Sequence, residues 1–246
     1  MINSFYLKII YKIIELIDFT NKKKIVNFFK NYFLVNKIVI IDIGAHKGET
    51  VDIFCESLNI EKIFSFEPNN LLFSKLSNDK KYKNMNIEFL NFGVGEKKET
   101  KHIKIYEETS SSGFNDLDLK SKYYKKKMRV LNFFSTKNNL SFQNQPVDVI
   151  SLSDFFKEKN LNKIDILKID TEGYEYNVLK GLNEMDFTKI NLIYFEHHYD
   201  SMIKKNYTFS AISDLLKKNG FYKTFKIKMK FRKSFEYIYK NSKNTY

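Results

Sequence analysis

The first residues that could form a ligand-binding site are one carboxylate and two glycines between Ile38 and Thr50. This segment reads IVIIDIGAHKGET, with Asp42 after four β-branched residues and glycines at positions 44 and 48. The pattern predicts a buried strand, a tight turn and a helix start. A dinucleotide pyrophosphate binds bare backbone amides at such a turn, and an anion beside them disfavours it. S-adenosylmethionine carries no phosphate, and Asp42 could hold its ammonium by a charge-assisted hydrogen bond.

A second carboxylate follows the next hydrophobic stretch. The sequence IFSFEP runs from Ile63 to Pro68 and places Glu67 at the end of a predicted strand. In nucleotide-binding α/β folds an acid about 20 residues beyond the glycine turn contacts the ribose hydroxyls. Asp42 could instead cap a helix, and Glu67 could be a surface acid before a proline turn. The coincidence of both acids with the glycines favours a ligand site.

Three further acids surround one strand-to-helix turn. Leu167 to Glu175 reads LKIDTEGYE, with acids at positions 170, 172 and 175. Their mutual repulsion is costly unless they bind a cation, share protons or cap backbone amides. We predict that Asp170 faces the methionine portion of the cofactor, and that Glu172 orients or deprotonates an acceptor hydroxyl. Capping of the next helix by Asp170 or Thr171 is the alternative.

Two adjacent histidines end a later strand, within Tyr194 to His198, YFEHH. Because a histidine titrates near neutral pH, we predict His197 as a general base for a hydroxyl acceptor. A divalent metal held by the histidines with Asp170 and Glu172 is an alternative. Adjacent histidines lack the spacing of metal ligands, so we predict no metal.

The composition limits the number of domains and the cellular setting that we expect. With 246 residues and 43% hydrophobic content the chain can bury the core of one domain. The single Cys55 excludes a disulfide framework and favours a reducing, cytoplasmic setting. No apolar run approaches the roughly 18 residues that span a bilayer, and Lys8, Lys12 and Glu15 interrupt any signal-peptide core. We expect neither secretion nor a membrane span.

Positive charge is concentrated at the C-terminus. The net charge is +13, and residues 217–246 contain ten Lys or Arg against the one acid Glu236. Between Phe225 and Arg232 apolar and basic residues alternate, which predicts a strand with one buried and one basic face. The basic face could contact phosphates or a membrane surface, or it could prevent edge-to-edge aggregation. The sequence has no signature of RNA recognition, and we expect no sequence-specific nucleic-acid binding.

The elements that position these residues alternate between strand and helix. Helices are predicted in an N-terminal segment, residues 1–36, from Phe5 to about Leu34. Residues 37–246 are predicted to form one domain, in which an irregular insertion near 107–145 could be a lid. The predicted strands are Ile38–Ile43, Ile63–Phe66, Ile87–Phe92, Val147–Leu152, Ile164–Ile169, Leu192–Glu196, Phe221–Phe231 and Phe235–Tyr239. The helices are predicted from Gly48 and at Leu71–Ser77, Asp154–Lys159, Tyr174–Gly181 and Phe209–Lys218.

Taken in order, the motifs VIIDIGAHKG, FSFEP, NFGVG, PVDVISLSDFF, DILKIDTEGYEYNVLKG and YFEHH resemble those of the FkbM-type methyltransferases. The resemblance covers about Lys37 to Asp200 and is most specific at KIDTEGYE. It implies an α/β, Rossmann-like class I methyltransferase fold, with a mostly parallel, doubly wound sheet and a C-terminal antiparallel strand. It also implies methyl transfer from S-adenosylmethionine, usually to an oxygen of a sugar, glycan or natural product.

The resemblance implies roles for individual residues. The methionine pocket would be lined by Asp42, Gly44 and Gly48, with Ala45 beside them. Glu67, followed by Pro68, would bind the ribose, and Asn91 and Phe92 would lie at the adenine edge. Asp170 and Glu172 would form the reaction centre.

Two hypotheses from other classes stay open at this point. An NAD-type oxidoreductase on a similar sheet would need a glycine-rich phosphate cradle at the Gly44 turn. A non-catalytic binder of polyanions or membrane surfaces would use the basic C-terminus and the N-terminal helices. The favoured partner is a sugar or glycan acceptor, and peripheral contact with a membrane surface through the basic segments is a further expectation.

Overall fold

The computed structural model describes residues 20–106, 112–126, 142–229 and 233–243. In chain order its strands are β1 (Ile38–Ile43), β2 (Ile60–Phe66), β3 (Ile87–Leu90), β4 (Gly93–Gly95), β5 (Glu99–Tyr106), β6 (Phe142–Ser151), β7 (Ile164–Ile169), β8 (Ile190–His198), β9 (Phe221–Lys228) and β10 (Ser234–Asn241). Seven of them form a sheet in the order β3-β2-β1-β7-β8-β10-β9. The pairs from β3 to β8 are parallel, whereas β10 is antiparallel to β8 and β9. The predicted α/β class, with its C-terminal antiparallel strand, is confirmed.

Helices cover both faces of this sheet. They are α1 (residues 20–33), α2 (Glu49–Ser57), α3 (Asn70–Asn78), α4 (residues 122–126), α5 (Leu152–Glu158), α6 (Glu175–Lys180), α7 (Glu184–Thr188) and α8 (Phe209–Lys218). Successive strand residues point to opposite faces of the sheet. Ile40 and Ile166 pack against helices α1, α2 and α3, and we call this side of the sheet the α1 face. Ile41 and Leu167 pack against helices α5 to α8 on the other side, which we call the α8 face. The bounds of β1, β7 and α8 are those that the sequence predicts.

The described part of the N-terminal region lies on the sheet. Ile25, Phe29 and Phe33 of α1 are buried in the same core as the sheet residues of the α1 face. The Tyr32 hydroxyl donates a hydrogen bond to Oδ1 of Asn191 at 3.0 Å. The first part of the predicted N-terminal helices lies outside the described residues.

A second, three-stranded sheet has the order β4-β6-β5. The sequence predicts a strand from Val147, but β6 begins at Phe142 and pairs antiparallel with β5. β5 is not predicted, because its residues are mostly polar and its partner is distant in the chain. The predicted insertion, 107–145, therefore begins after β5 and ends within β6, which pairs with β5. Its parts 107–111 and 127–141 lie outside the described residues.

The C-terminal strands have the predicted alternation. On β9, Phe225 and Ile227 pack against the α1-face core, whereas Lys226 and Lys228 are exposed. The Lys226 ammonium lies 4.3 Å from the centroid of the Phe235 ring. Lys230 and Arg232 lie outside the described residues. In the described parts of the chain, no helix has both the length and the apolar composition that crossing a membrane requires.

Candidate active site

The backbone amides of the turn after β1 donate hydrogen bonds to the end of β2. The amides of Gly44 and Ala45 both donate to the Phe66 carbonyl, at 3.0 and 2.9 Å. The next amide, of His46, donates to Oε2 of Glu67 at 2.7 Å. A pyrophosphate needs free amides at this position. The turn therefore lacks the phosphate cradle that an NAD-type oxidoreductase requires.

Gly44 brings this turn into contact with the end of β7. It has a φ of +85°, and a Cβ added to it would lie 1.9 Å from the Asp170 carbonyl oxygen. The amide of Asp170 in turn donates to the Ile43 carbonyl at 2.9 Å. Any side chain at position 44 would separate the two strand ends. Gly48 is similarly confined, since its added Cβ would lie 2.3 Å from the Tyr82 hydroxyl.

Asp42 lies at the predicted position but cannot bind the cofactor ammonium directly. Its Oδ2 accepts a hydrogen bond from the Ser65 hydroxyl at 2.7 Å, and its Oδ1 lies 2.9 Å from Nζ of Lys168. The side chains of Asp42 and Lys168 are 0% and 4% exposed. The same ammonium donates to the Gly44 carbonyl at 2.9 Å. The predicted direct contact is therefore wrong: the buried Asp42 holds Lys168, and Lys168 holds the turn.

Asp170 is the accessible carboxylate at this edge. Its side chain is 39% exposed, and its Oδ2 lies 3.8 Å from Nζ of Lys168. Asp42 and Lys168 are neighbours across β1 and β7, so Asp170 lies one strand repeat above the buried pair. Asp170 is thus placed to face a cationic ligand at the carboxyl ends of the strands. Its predicted role toward the methionine portion stays a prediction.

Glu67 closes the end of β2. Its carboxylate accepts the amides of His46 and Asn69, at 2.7 and 2.9 Å. Burial raises the pKa of Glu67 to about 7, against the lowering effect of these hydrogen bonds. Carboxylate oxygens have lone pairs beyond those used by two amides, so Glu67 can still accept ribose hydroxyls. Its position fits the predicted role.

The remaining predicted cofactor residues surround Glu67 or support the turn. Asn91 donates from Nδ2 to the Glu67 carbonyl at 2.9 Å, and Phe92 packs beside the α8-face core. The Pro68 carbonyl accepts a hydrogen bond from Nε2 of Gln145, a residue that the sequence does not single out. The methyl group of Ala45 is buried in the α1-face core, so Ala45 supports the turn from below.

Glu172 meets a histidine across the strand ends. It adopts the left-handed conformation with φ 51°, and its Oε2 lies 3.4 Å from Nε2 of His198. The other ring nitrogen of His198 lies 3.6 Å from Oδ2 of Asp200, and Glu196 is 3.7 Å from Nε2. Burial lowers the pKa of His198, but the nearby Asp200 and the other surrounding carboxylates raise it to about 10. His198 is therefore an imidazolium at neutral pH.

His197 lies on the opposite face and does not reach these carboxylates. β8 runs two residues beyond its predicted end, because His197 and His198 pair with Phe235 and Ser234 of β10. Successive strand residues alternate, so only His198 points toward Glu172. The His197 ring packs 4.8 Å from the Tyr199 ring, and burial lowers the pKa of His197 to about 3. The structure therefore does not bring His197, the predicted general base, together with Glu172.

The third acid of the KIDTEGYE turn has a structural role. Glu175 is 1% exposed and accepts hydrogen bonds from the Gly173 amide, the Thr171 hydroxyl and the Tyr207 hydroxyl. No side chain caps α6 at its N-cap residue, Tyr174. The capping alternative for Asp170 and Thr171 is therefore not found, and Glu175 fixes the turn that carries Glu172.

Sequence comparison decides the family. The model of the methyltransferase FkbM domain matches residues 42–222. The chain belongs to the FkbM methyltransferase domain family. The matched range includes the Gly44 turn, Glu67 and the Glu172 turn. A search of curated proteins gives no significant match.

The chain is similar to several solved methyltransferases. The methyltransferase domain of METTL16 is 10% identical with a TM-score of 0.50, over 90% of this chain and 66% of that one. TrmK of M. capricolum, solved with S-adenosylhomocysteine, is also 10% identical, with a TM-score of 0.48 over 88% and 67% of the chains. A putative RNA methyltransferase from Pyrococcus horikoshii is 10% identical, with a TM-score of 0.47 over 89% and 81%. At such identities the METTL16 match shows the fold alone.

The FkbM domain is a methyltransferase domain that uses S-adenosylmethionine. Its strand ends fit this cofactor on two structural grounds. The turn that Gly44 allows has no free amides for a phosphate. Glu67 and Asp170 lie at the strand ends where contacts with the ribose and the cationic methionine end are predicted. Among the residues described, no group of three or more His, Cys, Asp or Glu side chains could hold a metal ion.

An open cavity of about 460 Å³ adjoins the Glu172 turn of the FkbM domain. Its lining includes Lys101, His102, Phe114, Asn115, Tyr174 and Lys204. Nδ2 of Asn115 donates to the Glu172 carbonyl at 3.4 Å, and the Phe114 ring lies 5.0 Å from the Tyr174 ring. The described part of the insertion thus forms a wall of this cavity. It is anchored by hydrogen bonds between residues 116–118 and 202–204.

Proposed function

We propose that this FkbM-domain protein transfers the methyl group of S-adenosylmethionine to a hydroxyl oxygen of a sugar, on a glycan or a related metabolite. One observation carries the proposal. Glu172 is a partly exposed carboxylate that lies two residues after Asp170, on a turn whose backbone adjoins a polar and aromatic cavity. The nearness of this turn to both Asp170 and the cavity supports Glu172 as the proton acceptor.

A hydroxyl is a poor nucleophile until its proton is removed. S-adenosylmethionine supplies an electrophilic methyl group when it is bound. The protein must align the acceptor oxygen with that methyl group and accept the hydroxyl proton as the new bond forms. In this proposal Glu172 accepts the proton on its carboxylate.

The surroundings of Glu172 support this role. The His198 imidazolium lies 3.4 Å from Oε2 of Glu172 and gives the carboxylate a charged neighbour that fixes its position. Because the pKa of His198 is about 10, His198 itself cannot act as the base at neutral pH. We assign it the role of holding the Glu172 carboxylate in position.

The cavity favours a sugar over an apolar acceptor. Phe114 and Tyr174 offer ring faces, on which the C–H face of a sugar ring can pack. Asn115, Asn177 and Asn206 line the same cavity with amides, each of which can both donate to and accept from hydroxyl groups. Apolar rings with a few polar groups are the usual lining of a small-molecule site.

The test is transfer of a radiolabelled methyl group to defined acceptors. Purified protein would be incubated with labelled S-adenosylmethionine and, separately, with a panel of oligosaccharides, a tRNA mixture and a denatured protein. We expect label in the oligosaccharide fraction, and none there with Glu172→Gln. Label in RNA or protein alone would contradict the sugar acceptor.

The proposal includes a cytoplasmic setting. It is supported by Cys55, a free thiol in a chain without another cysteine, which suits a reducing compartment. Contact of the basic C-terminal strand with a membrane surface stays a prediction. Expression with a fluorescent fusion, followed by fractionation at low and high salt, would test both.

A further inference from the structure

The cavity beside the Glu172 turn contains basic groups that a neutral sugar would not need. Lys101 and His102 come from β5, and Lys204 comes from the loop after β8. None of these three residues has a role in the cofactor site or in proton transfer. The ammonium groups of Lys101 and Lys204 would favour a ligand that carries negative charge.

Lys204 is held on the cavity rim by its backbone. Its amide donates to the Asp116 carbonyl at 2.9 Å, and the preceding Ile203 forms a β-bridge with Leu117. Met202 and Ile203 are buried at 5% and 4% exposure, so the segment is anchored. The neighbouring Lys205 side chain turns away and donates to the His198 carbonyl. Lys204 therefore presents its side chain from a fixed position.

The acids around the cavity do not neutralise Lys204. Asp116 also lines the cavity, but its carboxylate contacts Nζ of Lys104. Glu99 lies 3.4 Å from Nζ of Lys101, leaving a side chain that is 34% exposed. Within the part of the chain that the structure describes, no carboxylate forms an ion pair with Lys204. One cation at the cavity thus has no protein counterion there.

Lys101 lies close to the aromatic rings that line the cavity. Its ammonium lies 5.9 Å from the centroid of the Tyr174 ring, and Tyr174 packs against Phe114. A ligand that packs on these rings would lie in the cavity that Lys101 and Lys204 both line. Lysine ammonium groups bind carboxylates and phosphates as point charges.

We infer that the cavity binds an acceptor sugar with an anionic substituent, either a carboxylate or a phosphate ester, through Lys101 and Lys204. The inference rests on the proposed function, since it names the class of sugar that presents its hydroxyl to Glu172. An anionic nucleic acid would need the same cations, but the volume of about 460 Å³, the pair of rings and the three amides favour a single sugar ring.

The test is calorimetric binding to protein saturated with S-adenosylhomocysteine. The probes are methyl glucoside, methyl glucuronide, glucose 1-phosphate and a short single-stranded RNA. We expect the glucuronide or the phosphate to bind at least about tenfold more tightly than the glucoside, with an affinity that falls as salt rises. The stronger of these two identifies the anion.

Single variants distinguish binding by the cavity lysines from attraction to the overall positive charge of the protein. Lys204→Gln and Lys101→Gln should each reduce binding of the anionic sugar toward that of the glucoside. Lys98→Gln is the matched control, because Lys98 is exposed before β5 and does not line the cavity. Melting curves would confirm that each variant is folded.

The outcomes distinguish this inference from the proposed function. Equal affinity for glucoside and glucuronide, or equal losses in the Lys204 and Lys98 variants, would overturn the anionic sugar while leaving sugar methylation intact. Tight binding of RNA without binding of any sugar would overturn both. The absence of all sugar binding in protein that binds S-adenosylhomocysteine would also overturn both.

Discussion

Oδ1 of Asp42 lies 2.9 Å from Nζ of Lys168, and solvent reaches neither side chain appreciably. Lys168 also donates to the Gly44 carbonyl, so one buried ion pair joins β1, β7 and the turn at the cofactor edge. Two buried charges are stable only when each has its partner. The pair therefore determines the position of the turn without contacting the ligand.

Lys168→Met is expected to destabilise the protein by about 3–5 kcal/mol, because Asp42 would stay buried without a counterion. Chemical denaturation measures this loss. The double variant Asp42→Leu with Lys168→Met removes both charges and should recover part of the stability. If the double variant were as unstable as the sum of both single variants, the two side chains would not act as a pair.

Gly44→Ala should weaken both the fold and the binding of S-adenosylhomocysteine. An added methyl group would meet the Asp170 carbonyl at 1.9 Å, in addition to the strain of a positive φ. Gly220→Ala is the matched control, since Gly220 has the same φ of +85° but its added Cβ has no neighbour closer than 3.5 Å. We expect a loss of about 1–2 kcal/mol at position 220 and about 2–5 kcal/mol at position 44. Equal losses would show that strain alone, and not the contact with Asp170, matters.

Glu67 should make stability depend on pH. Its folded pKa of about 7 lies above the unfolded value of 4.5, so the folded state holds the proton more tightly. This contribution is present below about pH 4.5 and is lost as the pH rises toward 7. The difference is on the order of 2–4 kcal/mol. Denaturation curves between pH 4.5 and 8 should show a shallower decline for Glu67→Gln than for the wild type.

The outcome for the histidines shows what the sequence could not reveal. The apolar runs predict β1 and β7 correctly, because buried parallel strands are recognisable from composition alone. They miss the last two residues of β8, since His197 and His198 join the strand only through pairing with β10. The face that each histidine occupies therefore depends on a distant strand.

Contacts between distant segments also determine the predicted cofactor site and the cavity, and the sequence could not predict them. The spacing of the acids correctly marks the carboxyl ends of the strands. It cannot show that Asp42 forms a buried ion pair with Lys168. The cavity combines β5 with segments near residues 114 and 204, which are far apart in the chain. No local pattern connects such segments, so their joint role emerges only from the tertiary structure.

Neither His197 nor His198 should titrate between pH 7 and 8. The folded pKa of His197 is about 3 and that of His198 is about 10, compared with 6.5 for a free histidine. For His198, the stabilisation by protonation is present below about pH 6.5 and is lost only as the pH approaches 10. Nitrogen-15 NMR of the imidazole groups, assigned with His197→Gln and His198→Gln, measures both. A midpoint near 6.5 for His198 would remove its assigned role.

The most direct test of the account follows a carbon-13 methyl group from S-adenosylmethionine into the product. NMR of the product distinguishes a methyl group on a sugar oxygen from one on nitrogen or carbon. We predict an O-methyl signal, and a fall in turnover of about 10²–10⁴-fold in Glu172→Gln with unchanged binding of S-adenosylhomocysteine. Glu184→Gln, an exposed carboxylate on α7, is the control. Transfer to nitrogen, or full activity in Glu172→Gln, would contradict the account.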